Sequence, residues 1–290
     1  MYSVFDAGDN FYRVKKSIEE LVPLVKKHGI EGINPSIEIL EDRQRARYVM
    51  NIVRDNGLQW GLLPTPADML SPSTNEEMFD EALKKLKFWA ETGELIGVER
   101  CYNHIFPGHN ELDYEENFER HIIRIKRIHD ILSPHGIRYG LEFLGPKDLR
   151  CSFLKSFIHT IAGVLALADV VDPSVGFVFD TFHWFTGGNE DDLYYATWHI
   201  DRMICFHIND GITGKSPEEQ LDLTRAMPMT TGVIDSLRIY KMFKDKGYSG
   251  PVLCEPINPT YERFAKMDAE AVIKEVAEVY KRMEELANKT

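Results

Sequence analysis

A chain of 290 residues with 43% apolar side chains is long enough for one α/β barrel and apolar enough to fill its core. Its formal net charge of −12 argues against a nucleic-acid partner, because phosphates are met with Lys and Arg, and fits a protein acting on a small molecule. Cys101, Cys151, Cys205 and Cys254 show no C-x-x-C spacing, no apolar stretch reaches the length of a membrane span, and no apolar signal region follows Met1; reduced thiols, no membrane partner and a cytoplasmic location are expected.

The first strand is expected at Tyr2–Ala7, and a helix from about Phe11 carries Val14, Ile18, Leu21, Val22 and Val25 at helical spacing. It stops at His28-Gly29, and Ile30-Glu31-Gly32-Ile33 begins the next strand. The same ending recurs: Asn56-Gly57 before Leu58, His135-Gly136 before Ile137, and Lys246-Gly247 before the last strand. Further helices follow Ser36, Ser73-Thr74 and an Asp113-to-Glu116 capping box, and then run near 153–168, 190–201, 234–246 and 268–287. With strands near Val98–Asn103, Glu142, Asp180, His207 and Glu255, the count reaches eight strand–helix units over residues 1–290, one (β/α)8 domain without a Pro/Ser-rich linker. Helix-to-strand connections are tight, whereas the strand-to-helix connections 64–75, 104–112, 183–192 and 208–231 are long and gather on one face.

Four apolar runs end in a ligand-type side chain: Tyr139-Gly140-Leu141-Glu142, Gly176-Phe177-Val178-Phe179-Asp180, Met203-Ile204-Cys205-Phe206-His207 and Val252-Leu253-Cys254-Glu255. A run that is apolar throughout suits a parallel strand covered on both faces, and the C-terminal ends of such strands assemble the sites of α/β barrels. Pleat alternation places Val178, Gly140, Cys205 and Leu253 inward, one layer below these four residues, and turns Phe177 and Phe179 toward the helices. Three carboxylates and an imidazole at one place suit one divalent ion such as Mn²⁺, Co²⁺, Mg²⁺ or Zn²⁺, and Glu142 and Glu255 are the candidates for proton transfer. His183, three residues after Asp180, reads as a second-metal ligand, a substrate contact, a proton donor or a loop histidine without a role. Asp210 reads as a partner orienting His207 or as a turn residue. His104 and Asn103 end the fourth strand and are placed at the mouth; Arg225, in the longest loop, reads as a clamp for a polar substrate or as solvated charge. The stretch Asn209–Ser216 nearly spells a phosphate-binding loop, but Asn209 replaces its first glycine and Pro217 follows, so no nucleotide site is expected.

The segments Gly140-Leu141-Glu142-Phe143, Phe179-Asp180-Thr181-Phe182-His183, Phe206-His207-Ile208-Asn209-Asp210 and Cys254-Glu255-Pro256 resemble the xylose isomerase-like barrel superfamily of sugar isomerases and epimerases, most clearly over residues 137–275. Within it, Leu141–Gly145, Asp180–Trp184 and the stretch from Arg225 to Gly232-Val233-Ile234-Asp235 look like those of inosose isomerases. The resemblance implies one divalent ion on Glu142, Asp180, His207 and Glu255, substrate contacts from His183 and Arg225, and Glu142/Glu255 as the proton-transfer pair. The chain departs from the pattern at Met227–Gly232, where the family reads Pro-Gly-x-Gly, and at Glu142-Phe143-Leu144-Gly145, where ketohexose epimerases read Glu-Pro-x-Asn. The expected activity is isomerisation or epimerisation of a keto-sugar or keto-cyclitol through an enediolate, with a dehydratase or lyase on the same barrel as the alternative. An apurinic-site endonuclease is disfavoured by the acidic charge and by the lack of an Asp-x-His pair near residues 210–235. The expected partner is a small sugar or cyclitol, with homo-oligomer formation left open.

Overall fold

The computed structural model describes residues 1–7, 12–188 and 190–289; Phe11, expected to open the first helix, and Asn189, expected in a loop, lie outside them. Among the described residues, eight parallel strands form one sheet: β1 (Tyr2–Phe5), β2 (Gly32–Ile33), β3 (Gln59–Trp60), β4 (Arg100–Ile105), β5 (Arg138–Phe143), β6 (Gly176–Asp180), β7 (Met203–Ile208) and β8 (Pro251–Cys254). Their order is β3-β2-β1-β8-β7-β6-β5-β4. The ring closes between its two ends, where Leu63 bridges Cys101 in parallel and its amide donates to Arg100 O at 2.7 Å. The helices packed around it are α1 (Ile18–Lys27), α2 (Arg43–Asp55), α3 (Glu76–Ile96), α4 (Tyr114–Leu132), α5 (Ile161–Val171), α6 (Asp191–Trp198), α7 (Ser236–Asp245) and α8 (Ala269–Ala287). The result is the expected (β/α)8 barrel.

Alternation along the strands divides the core into two layers. Val4, Leu62, Val178, Ile204, Cys205 and Leu253 fill the barrel interior. Phe177, Phe179, Phe206 and Phe243 pack between sheet and helices, with Phe243 edge-on to Phe179 and Phe206 at centroid distances of 4.9 and 5.0 Å. The tight turns below the barrel work as the sequence predicts: Gly29, Gly57, Gly136 and Gly247 take φ of +83°, +67°, +69° and +86°, a conformation that costs other residues a steric penalty.

Three helix starts differ from expectation. α1 begins at Ile18, where Ser17 and Glu20 form a capping box, so Val14 precedes the helix although it is buried. α5 begins at Ile161 and not near Phe153: Thr160 caps Gly163 N at 3.2 Å, and the Asp192 carboxylate accepts from Ile161 N at 3.0 Å. The preceding residues are drawn off into an extended pair, Lys155–Ser156 against Gly108–His109. After β6, where a loop was expected, Thr181–Gly187 is a short helix whose first turn is capped by Asp180 itself.

Candidate metal centre

β5, β6, β7 and β8 are adjacent, so their ends bring Glu142, Asp180, His207 and Glu255 together at the mouth. Pleat alternation aims all four inward, and the layer beneath is shaped to suit. A side chain at Gly140 would come within 2.5 Å of Ile204 Cγ1, so glycine makes room for the isoleucine that floors the site. Glu255 follows β8 by one residue and is held in line by its amide, which donates to Ile208 O at 2.9 Å.

Every member of the set is buried, and one ligand atom from each lies within 4.8 Å of all the others. His207 Nδ1 is 3.0 Å from Glu142 Oε1, 3.6 Å from Glu255 Oε1 and 4.0 Å from Asp180 Oδ2. Burial alone would raise Glu142, but the His207 charge and the bonds to His104 and His207 hold it well below the usual carboxylate range. His207 is held well above its ordinary value in spite of burial, Glu142 being the chief cause. Burial pushes Asp180 up to about 6, against the pull of His183 and Arg225. Three carboxylates cannot share a desolvated site at low cost without cations among them. His207 Nε2 is buried and lacks a hydrogen-bond partner, and Glu142 Oε2, also buried, has only the 3.3 Å contact of His104 Nε2. This donor set, hard oxygens with one imidazole, fits a divalent ion.

The remaining candidates fall into two groups. His183 and Arg225 join the centre: Arg225 Nη1 lies 3.1 Å from Asp180 Oδ2 and also donates to Glu255 Oε2, while Nη2 is 3.2 Å from His183 Nε2. Asp222 fixes the guanidinium from behind, at 3.0 Å from Nη2. Burial lowers His183 to about 3, so its ring is neutral near pH 7. His104 also reaches the centre, with Nε2 3.3 Å from Glu142 Oε2 and Nδ1 3.7 Å from Asp68 Oδ2.

Two readings need correction. Asp210 does not face His207; its carboxylate accepts from the amides of Thr231, Gly232 and Ile234 at 3.0, 2.9 and 2.9 Å, and so folds the loop that precedes α7. Asn103 turns away from the mouth, because it alternates with His104, and accepts from Tyr139 Oη at 2.8 Å.

Three contributors escaped the sequence reading. Asn209 donates to Asp180 Oδ2 at 3.0 Å, and Tyr102 packs edge-on against the His207 ring at 5.4 Å between centroids. Asp222 is the third. Period-two alternation could have found the first two, since Asn209 lies two residues after His207 and Tyr102 two before His104.

Fold and centre together define a class, the α/β barrel with a buried carboxylate–imidazole cluster at its C-terminal mouth. The chain belongs to the xylose isomerase-like TIM barrel family, whose sequence profile matches residues 22–283. It is 28% identical over 148 residues to an inosose isomerase of Halalkalibacterium halodurans, spanning 50% of this chain and 48% of that one, about half the relative's length. To the inosose isomerase of Bacillus subtilis it is 25% identical over 198 residues, 67% of each chain. Its fold superposes on a crystal structure of IOLI protein with a zinc atom bound, with a TM-score of 0.77 and 20% identity over the whole of both chains. No helix among the described residues is long and apolar enough to cross a membrane.

Proposed function

We propose that the protein is a metal-dependent isomerase or epimerase of a keto-sugar or keto-cyclitol of the inosose type, working by proton transfer through an enediolate. The observation that carries this reading is the pairing of two glutamates, Glu142 and Glu255, on either side of His207 in one buried cluster. The names of the inosose isomerases to which the chain is similar support the substrate class.

Glu142, Asp180, His207 and Glu255 would hold the ion. When bound, it would supply Lewis-acid polarisation of adjacent carbonyl and hydroxyl oxygens. The residues do the rest. Glu255 removes the proton from the carbon beside the carbonyl and releases it to solvent, and Glu142, on the other side, relays a proton from solvent to that carbon or to its neighbour, so that the proton count is restored. Arg225 binds the oxygen where negative charge grows, and His183, whose Nε2 accepts from Arg225 Nη2, positions the guanidinium beside the substrate. Tyr102, Leu62 and Leu253 line the cavity at the mouth and give the ring's C–H face an apolar surface.

The test is isotopic. Turnover of an accepted inosose or keto-sugar in D₂O should place deuterium at a single carbon beside the carbonyl. Glu255→Gln should slow that exchange by about 10²–10⁴-fold, the usual span for a lost general base. A Glu255→Gln enzyme with wild-type exchange, or turnover of substrate without any label, refutes the mechanism.

A further inference from the structure

The opposite end of the barrel holds two arginines side by side. Arg100 opens β4 and Arg138 opens β5, and they are register partners across the parallel ladder. Like charges placed directly across a ladder destabilise it unless something neutralises them. Neither guanidinium has a strong anionic partner. Arg138 donates through Nη2 to the carbonyl of Asp201. Arg100 Nη1 has only long contacts, 3.5 Å to Tyr2 Oη and 3.4 Å to Glu99 Oε2, and Glu99 is 69% exposed. The Arg100 side chain is itself only 16% exposed, and its Nε is buried without an acceptor. A guanidinium carries five donors, and withdrawing one from water without acceptors is costly. Burial first, and the charge of Arg100 second, push the pKa of Arg138 down, while Tyr248, Asp201 and Glu99 pull it up.

Both arginines line a cavity of about 160 Å³ with Asp201, Tyr248, Ser249 and Gly250. That volume is below the roughly 300–1,000 Å³ of pockets for organic ligands, and it suits a single small anion.

We infer that this cavity is a binding site for one tetrahedral oxyanion, phosphate or sulfate, clamped between Arg100 and Arg138. Arg100 supplies Nη1, whose present contacts are long, and Arg138 the second guanidinium, paired cations matched to an oxyanion. The bound anion ties β4 and β5 to the turn that leads into β8. The site is independent of the chemistry proposed at the other end of the barrel.

The test is thermal unfolding of the full chain in EDTA, titrated with inorganic phosphate against chloride at fixed pH and matched ionic strength, with calorimetric titration for stoichiometry. EDTA removes any contribution from metal-bound phosphate. Wild type should show a saturable rise in Tm with one phosphate per chain, and sulfate should compete for it. Arg100→Met, which keeps the packing of the side-chain stem, should lose the saturable rise. Arg138→Lys should need at least a ten-fold higher phosphate concentration for half effect, and it serves as the second variant if Arg100→Met folds poorly. A rise that is linear in salt, absent, or equal in wild type and both variants overturns the site.

Discussion

Asn209 has no charge and no part in proton transfer, yet it joins two elements of the centre. Its amide nitrogen donates to Asp180 Oδ2, its side-chain oxygen accepts from Thr181 Oγ1 at 2.8 Å, and its carbonyl accepts from Ser236 Oγ at 2.9 Å. Residues that orient ligands without touching the ion typically account for about 10–100-fold in metal affinity or activity. Asn209→Ala should therefore weaken Mn²⁺ binding by about that factor in calorimetric titration while the far-UV spectrum stays native; unchanged affinity would show that Arg225 and the amides of Phe182 and His183 suffice to hold Asp180. The four residues of the centre were legible in the sequence because each ends an apolar run, where a carboxylate or histidine stands out against its neighbours. Asn209 and Tyr102 were within reach of period-two spacing from His207 and His104, whereas Asp222 was not legible, since an acid in a long loop is ordinary and only through-space contact gives it a role. Asp210 misled for the same reason: its spacing from His207 is also that of a residue that folds its own loop.

At the scale of elements, the start of α5 depends on a carboxylate from elsewhere in the chain. Asp192, on α6, is buried and accepts from Ile161 N and Ala162 N. Burial raises it to about 6, outweighing the two amide bonds that lower it. An unfolded aspartate titrates near 3.9. Between about pH 4 and pH 6 the folded chain therefore keeps a proton that the unfolded chain has lost, so this group makes stability fall as pH rises through that window and leaves it level above. Asp192→Asn keeps an acceptor and cannot ionise. Its unfolding free energy minus that of wild type should grow from pH 4 to 6 and then stay constant, as read from urea melts at each pH; a flat difference would mean that Asp192 is not desolvated. The sequence reading placed this helix near 153–168, some eight residues before its start at Ile161. A cap offered by Asp192, some thirty residues further on, leaves no local trace.

For the molecule as a whole, the barrel was readable because the same helix, glycine stop and strand recur along the chain, so the three displaced helix starts did not change the count. The closure of the ring was not readable, since it rests on the Leu63–Cys101 bridge between segments far apart in the chain. The centre draws on four strands at once, and an ion held there by the folded chain stabilises the whole barrel. Stabilisation by a ligand at a hundred times its Kd is about 2.7 kcal/mol. EDTA should accordingly lower the Tm of protein purified with its metal, and Mn²⁺ should restore it. Asp180→Ala should respond to neither; equal sensitivity in that variant would place the ion elsewhere.

The ladders around the ring are unequal. β4, β5 and β7 run for six residues each, whereas β2 and β3 have two. Glu142, Asp180 and His207 stand on β5, β6 and β7, of six, five and six residues, and the two shortest strands, β2 and β3, carry loops on the opposite side of the mouth. The barrel is thus a stiff chassis joined to an exchangeable half. Loops after β2 and β3 can be lengthened, swapped or randomised in a laboratory library while the Glu142–Asp180–His207–Glu255 cluster is inherited intact.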